Sequence, residues 1–466
     1  MSEDGKTNII VVMTDTLRTA YLGCYGNKTI RTPNIDRFAA EGAVFTQAYP
    51  ESLPTIPVRR ALHTGRRAYP FNDYRPVPWD IVYLPGWQPM ADGESTLAED
   101  LAKAGYHTGF VTDTLPYFAP AMNFTRGFWQ WEYIRGQQQD RWKSVHAADP
   151  RRLARIKGAD APNPYNMPRY HVANTDGLEA PGETCTARTF KWAIKFLQDN
   201  AAVPFYLLVD CFDPHEPWQA PRKYYRMYSD GRGRDKTIVH SAYARDLAGL
   251  TEAELADMVA HYCGLVTMID EWFGRLLEKL EELRIARRTL VIFTSDHGTN
   301  FGDNLWRVVG KPGWALLPGT MHLPLIVRTG DGRASGRRID GLRYNTDITA
   351  AAYEAAGVEP SQAIHGRSLL PALAGDHAGD RRYLTSRYGN TVWYRDERWW
   401  VFGDVGGGER HLFDLAADAE LRNDLGESAE DPWRLACERI LADAGGRIMD
   451  YSSRTLTDAI GQKPVR

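Results

Sequence analysis

The segment Ile9-Ile10-Val11-Val12-Met13, running through Thr14 to Asp15, constrains the fold more than any other stretch of the chain. Every one of its first five side chains is apolar, without the alternation that marks a strand with one wet face. A strand buried on both faces belongs in the middle of a parallel sheet with helices packed above and below it. The pattern returns twice: residues 205–209 run into Asp210, and residues 290–294 into Ser295-Asp296-His297-Gly298. Residues 107–112 read as a further strand, with fewer apolar positions, that runs into Asp113 and Thr114. Helical periodicity separates these runs, over residues 35–42, 97–105, 184–200 and 347–357. A long helix opens on the capping box Thr251-Glu252-Ala253-Glu254. Strand and helix in alternation suit an α/β domain. In the sheets of such domains ligands gather at the carboxyl ends of the strands, so polar residues there are the first to test for function.

The stretch Thr55-Ile56-Pro57-Val58-Arg59-Arg60-Ala61-Leu62-His63-Thr64-Gly65-Arg66 stands out next. Pro57 fits the first turn of a helix, where its missing N–H is not needed. Thr55 then sits at or just before the helix N-terminus, where free N–H groups and the macrodipole favour an anion. Arg59 is one turn on and can return to the same end. Taken alone, this is a capping threonine with a solvated arginine pair. The strand ends add weight to a second reading, a nucleophile in an anion-binding corner. Asp296 and His297 together supply a hard charge and a neutral nitrogen, which suits a metal. Asp15 is a further candidate ligand, and His215 is held rigidly between Pro214 and Pro217. Lys311 lies in the loop that follows Asp296 and His297.

Residues 67–95 lack periodicity and read as an ordered loop near the site. Residues 115–180 read as an irregular lid or substrate loop, and residues 230–246 as a mobile loop. Beyond about Gly375 the pattern shifts to short alternating segments, a small antiparallel sheet, then a helix from about Asp431 to Ala444 and a polar tail. The expected division is an α/β catalytic domain over 1–375 and a small C-terminal α+β subdomain with its tail over 376–466. Net charge is −3 in 466 residues, which argues against nucleic acid or a membrane surface as a partner. No apolar run approaches membrane-spanning length. The five cysteines are scattered without metal or redox spacing, so reduced thiols and a cytoplasmic location are the simplest expectation. The polar tail after about Ala444 is a candidate for subunit contacts in a homo-oligomer.

Taken in order, these pieces resemble the sulfatase family of the alkaline-phosphatase superfamily. The anchors are Asp15, the Thr55-to-Arg66 helix entry, Asp213-Pro214-His215-Glu216-Pro217, Ser295-Asp296-His297-Gly298, Lys311 and the C-terminal antiparallel sheet. The resemblance implies an α/β fold with a mostly parallel central sheet sandwiched by helices, and one divalent metal, Mn²⁺, Zn²⁺ or Ca²⁺, held by Asp15, Thr55, Asp296 and His297. It puts Thr55 in the nucleophile position, Arg59 beside it to orient and polarise it, and His215 and Lys311 near the ester and leaving group. Asp113 and Thr114 are the corresponding substrate-binding candidates.

The departures from the pattern redirect the chemistry. Sulfatases carry Cys or Ser where this chain has Thr55, and oxidise it to formylglycine. Threonine cannot give that aldehyde, because its β-carbon already bears a methyl group. Thr16 replaces the usual second acid, and Asp113, Thr114 and Leu115 replace a Lys and a His. A threonine in this position is similar to phosphoethanolamine and glycerol-phosphate transferases and to soluble phosphonate monoester hydrolases. The expectation is a metal-dependent hydrolase of phosphate diesters or phosphonate monoesters working through phospho-Thr55. Its small-molecule substrate would be a phosphate, phosphonate or sulfate ester. The alternatives are a sulfuric ester hydrolase without formylglycine and a catalytically silent ligand-binding protein.

Overall fold

The computed structural model describes residues 5–75, 82, 84–119, 121–138, 140–159, 167–230 and 237–451. Part of the expected mobile loop (231–236), part of the lid (160–166) and nearly all of the polar tail (452–466) lie outside the described residues.

The strands, in chain order, are β1 (Asn8–Thr14), β2 (Ala43–Tyr49), β3 (His107–Thr112), β4 (Gln130–Tyr133), β5 (Phe205–Cys211) and β6 (Thr289–Ser295). A two-stranded hairpin follows, β7 (Asn300–Phe301) and β8 (Val309–Gly310), then β9 (Leu323–Arg328), β10 (Arg337–Ile339) and β11 (Arg343–Tyr344). Nine of these form one sheet in the order β10-β2-β9-β6-β1-β5-β3-β4, with β11 also on β2. All pairings in it are parallel except those of β9, which runs against both β6 and β2. The four strands that run into Asp15, Asp113, Asp210 and Asp296, β1, β3, β5 and β6, lie side by side in its centre.

Burial on both faces explains that placement. Ile10 and Val12 of β1 join one core with the helices Pro33–Glu41, Cys185–Asn200 and Glu252–Glu282. Ile9, Val11 and Met13 point the other way, into a second core with the helices Thr55–Thr64, Leu97–Lys103 and Thr346–Ala356. At about 25 cal/mol per Å² of buried apolar surface, each fully buried aliphatic side chain contributes about 1.5–3 kcal/mol, so both layers are held strongly to β1. The long helix begins with the expected capping box, in which Thr251 and Glu254 bond each other's backbone N–H.

The stretch 115–180 holds a strand that the sequence reading left as irregular. β4 extends the sheet in parallel beyond β3. It is four residues long and sits at the edge with Trp131 47% exposed, so it lacks the apolar run that marks the central strands.

After Gly375 the chain forms a second sheet, antiparallel throughout, in the order β12 (Tyr383–Tyr388), β13 (Thr391–Asp396), β14 (Trp399–Asp404) and β15 (Arg410–Asp414). The helix Glu430–Asp443 packs on it through Trp433, Ala436 and Ile440. This sheet grips the segment leading to Thr55. Leu53 N–H donates to the Arg387 carbonyl at 2.8 Å. Arg387, fully buried, donates from Nη1 to the Pro70 carbonyl at 2.7 Å.

Candidate active site

The parallel register of β5, β1 and β6 brings their carboxyl ends together. Asp15 N–H donates to the Cys211 carbonyl at 3.0 Å, and Asp296 N–H to the Thr14 carbonyl at 3.1 Å. The acids that follow these strands therefore share one small, dry space. Asp15, Asp296 and His297 are each 0% exposed.

Thr55 is the first residue of its helix, which ends at Gly65 in the left-handed conformation with its N–H on the Ala61 carbonyl. A side chain at Gly65 would strain that φ of +67° and press on Ile364 at 2.8 Å. Thr55 Oγ1 lies 3.4 Å from His297 Nε2. The His297 ring sits with Nδ1 3.0 Å from the Gly298 carbonyl, so Nδ1–H donates there and the Nε2 lone pair faces Thr55 and Asp15. Burial lowers His297 to about 4, which keeps that nitrogen free of a proton at neutral pH.

Arg59 stands one turn along, fully buried, among three carboxylates. Nε and Nη2 fork onto Asp210 at 2.9 and 3.0 Å, Nη1 donates to Asp296, and Nη2 is 3.2 Å from Asp15. Asp210 takes two further bonds, from Tyr117 OH at 2.6 Å and Thr114 Oγ1 at 2.9 Å. Thr114 is thus engaged behind Arg59. Asp113 is also fully buried, with one oxygen on the Phe212 N–H and the other on the Gln137 amide.

Glu216 organises the opposite wall. Lys311 Nζ lies 3.1 and 3.2 Å from its two oxygens, and Tyr243 OH donates to it. His215 stacks on Phe212, with Nδ1 against the Glu216 carbonyl. Burial drives its ring down to about 3, so it rests neutral with Nε2 unprotonated.

The structure brings Asp15, Thr55, Arg59, Asp296 and His297 together and sets His215 and Lys311 beside Glu216; the sequence reading gave no role to Asp210, Tyr117, Glu216 or Tyr243, which hold these groups in place. One signal was available. Asp210 continues a buried strand between Val209 and Cys211, and a carboxylate there requires a cation partner.

Asp15, Asp296 and His297 each offer one ligand atom within 4.8 Å of the others, the candidate metal cluster among the described residues. Both oxygens of Asp15 are buried without a hydrogen-bond partner. Burial and the adjacent Asp296 push Asp15 well above the carboxylate range. Burial also works against ionised Asp296, but His297, Arg59 and the Thr16 N–H outweigh it and bring Asp296 to about 2. A carboxylate without a hydrogen bond and in one ion pair with Arg59, an ionised carboxylate and an unprotonated imidazole nitrogen are the donor set of a divalent cation. Thr16 holds a positive φ of 61° beside them, its N–H on Asp296 Oδ1 at 3.1 Å. Such strain is commonly kept at functional sites.

Comparison with known proteins agrees with this architecture. The multifunctional alkaline phosphatase superfamily protein PehA of Trinickia caryophylli is 28% identical over 426 residues, covering 81% of this chain and 79% of that one. An arylsulfatase of Clostridium perfringens is 24% identical, covering 96% of both. The phosphonate monoester hydrolase of Agrobacterium radiobacter shares the fold, with a TM-score of 0.71 at 21% identity over 96% of this chain and 97% of that one. The family model described as Sulfatase matches residues 7–358, a span that takes in Asp15, Thr55, Arg59, His215, Asp296, His297 and Lys311. With these acids gathered at the strand ends of this sheet, and that match across three quarters of its length, the chain belongs to the sulfatase family of ester hydrolases.

Proposed function

We propose that this protein hydrolyses phosphate diesters or phosphonate monoesters through a covalent intermediate on Thr55. The observation that carries the reading is the position of an unmodified threonine hydroxyl at the head of its helix, 3.4 Å from His297 Nε2.

Asp15, Asp296 and His297, with Thr55, would hold one divalent ion. When bound, it supplies positive charge that favours the ionised Thr55 oxygen and a non-bridging ester oxygen. Arg59, fixed from behind by Asp210, keeps the carboxylates in place. The Thr55 oxygen forms a bond to phosphorus as the bond to the leaving oxygen breaks. The proton lost by Thr55 passes to solvent, and His215, neutral at rest, takes one from solvent on Nε2 and gives it to the leaving alkoxide on the other side of phosphorus. Lys311 balances charge on the leaving side, with Glu216 setting its position. Water then cleaves the phospho-Thr bond and regenerates the hydroxyl.

Charge supports a singly charged ester. Arg59 is already surrounded by carboxylates, and Lys311 is paired with Glu216. Little positive charge is left uncommitted for a dianion.

The test is turnover of bis(p-nitrophenyl) phosphate, p-nitrophenyl phenylphosphonate and p-nitrophenyl sulfate after loading with Mn²⁺, Zn²⁺ or Ca²⁺, wild type against Thr55→Ala. Phosphorus-ester turnover abolished by the substitution is the expected result. Sulfate-only turnover that survives loss of Thr55 would sink the phospho-Thr route. Binding without any turnover would establish a silent binder.

A further inference from the structure

The loop carrying His215 has two sides. Its front presents His215 and Glu216 toward Lys311. Its back, through Asp213 and Pro217, walls a second cavity of about 400 Å³ whose lining includes none of Thr55, His215 or Lys311. That volume is within the range of small-molecule sites. The floor is apolar, built from Cys185 on the helix Cys185–Asn200 and Leu265 and Met268 on the helix Glu252–Glu282.

The rim is basic. Arg152 is paired with Glu179 at 2.8 Å. Arg155 and Arg222 have no carboxylate partner among the described residues, and both are exposed. His171 lies between floor and rim, 5% exposed. Its Nε2 is 2.8 Å from Gln219 Oε1, and with Nε2–H donating there, Nδ1 is a buried acceptor without a partner. Burial brings His171 down to about 4, so Nδ1 stays an acceptor at neutral pH. Buried acceptors are rarely left unmatched.

We propose that this cavity is a ligand site, separate from the ester-cleaving centre, for a small amphipathic anion. The apolar body rests on Cys185, Leu265 and Met268, and the acidic group lies between Arg155 and Arg222. Guanidinium forks match the oxygens of carboxylate, sulfonate or phosphate groups. The apolar floor distinguishes the site from one for a bare inorganic ion.

The probe is 8-anilinonaphthalene-1-sulfonate, which carries an aromatic body, an acidic group and one N–H donor. It is titrated by fluorescence into the full chain. The expected result is a saturable site weakened roughly tenfold in Arg155→Ala/Arg222→Ala, as loss of charge-assisted hydrogen bonds dictates. Both arginines are exposed, so the double variant should keep its melting temperature, and its kcat/KM on bis(p-nitrophenyl) phosphate should equal wild type. No saturable binding to wild type, or binding unchanged in the double variant, would overturn the assignment.

Discussion

Arg59 and Asp210 meet through two parallel hydrogen bonds, Nε at 2.9 Å and Nη2 at 3.0 Å, with both side chains fully buried. This fork fixes the guanidinium plane that then faces Asp15 and Asp296. Removing one partner of an isolated buried pair costs about 3–5 kcal/mol; Arg59 keeps Asp15 and Asp296, so the cost here falls below that range. Asp210→Asn should therefore lower the melting temperature by several degrees and kcat by roughly 100-fold. Tyr117→Phe, which removes one neutral donor to Asp210, should cost about 0.5–1.5 kcal/mol. Thermal melts and steady-state kinetics on one ester check both. Equal effects from the two substitutions would argue against Asp210 as the anchor.

Thr55→Ala should reduce phosphorus-ester turnover by roughly 10⁴-fold or more, the loss typical of a nucleophile. Thr55→Ser keeps the hydroxyl and should retain measurable activity. Acid-quenched wild type caught during turnover should carry a phosphoryl group on the peptide containing Thr55, by mass spectrometry. Its absence under burst conditions would count against the covalent route.

Stripping divalent ions with a chelator should abolish turnover and lower the melting temperature. Adding Mn²⁺ or Zn²⁺ back should raise it, by about 2.7 kcal/mol of stability at a hundredfold excess over Kd. Asp15→Asn should blunt that rise, because the carboxylate without a hydrogen bond is the group with the most to gain from the ion. Calorimetric titration with the ion alone gives the readout independently of activity.

Asp113 and Asp213 are joined by the Gln137 amide, at 3.1 and 3.3 Å. Burial and the neighbouring Asp213 raise Asp113 to about 8, and burial raises Asp213 to about 6. An unfolded aspartate titrates near ~3.9. Between these values the folded protein holds protons that the unfolded chain has released. This contribution to stability is thus complete below about pH 4 and is lost as pH rises through about 6 and then about 8. Asp113→Asn should flatten the upper part of that decline, so that its melting temperature gains on wild type most at the alkaline end. A wild-type melting temperature that rises steadily over this window would contradict the assignment.

The centre of the fold was legible because full burial leaves a plain mark. β1, β5 and β6 each carry an unbroken apolar run, whereas β3 holds only Phe110 and Val111 in sequence. The direction of β9 was not legible, since a buried strand reads the same parallel or antiparallel. At the site, Asp15, Thr55, Asp296 and His297 were visible from their positions after strands and at a helix start. Glu216 and Tyr243 were not, because their roles depend on Lys311 arriving from a hairpin almost a hundred residues away. Local pattern cannot report such a meeting.

The grip of Arg387 on the Leu53 and Pro70 segments makes the C-terminal sheet a buttress for the entrance to the Thr55 helix. A chain cut before Tyr383 would lose the acceptor for the Leu53 N–H and the donor to the Pro70 carbonyl. It would also lose Thr385, which receives two bonds from Arg67 just past the helix end. Both ends of the element carrying the hydroxyl would be unmoored together. The C-terminal sheet supplies none of the reacting groups named above, yet the rest of the chain cannot be expected to survive as a minimal enzyme without it.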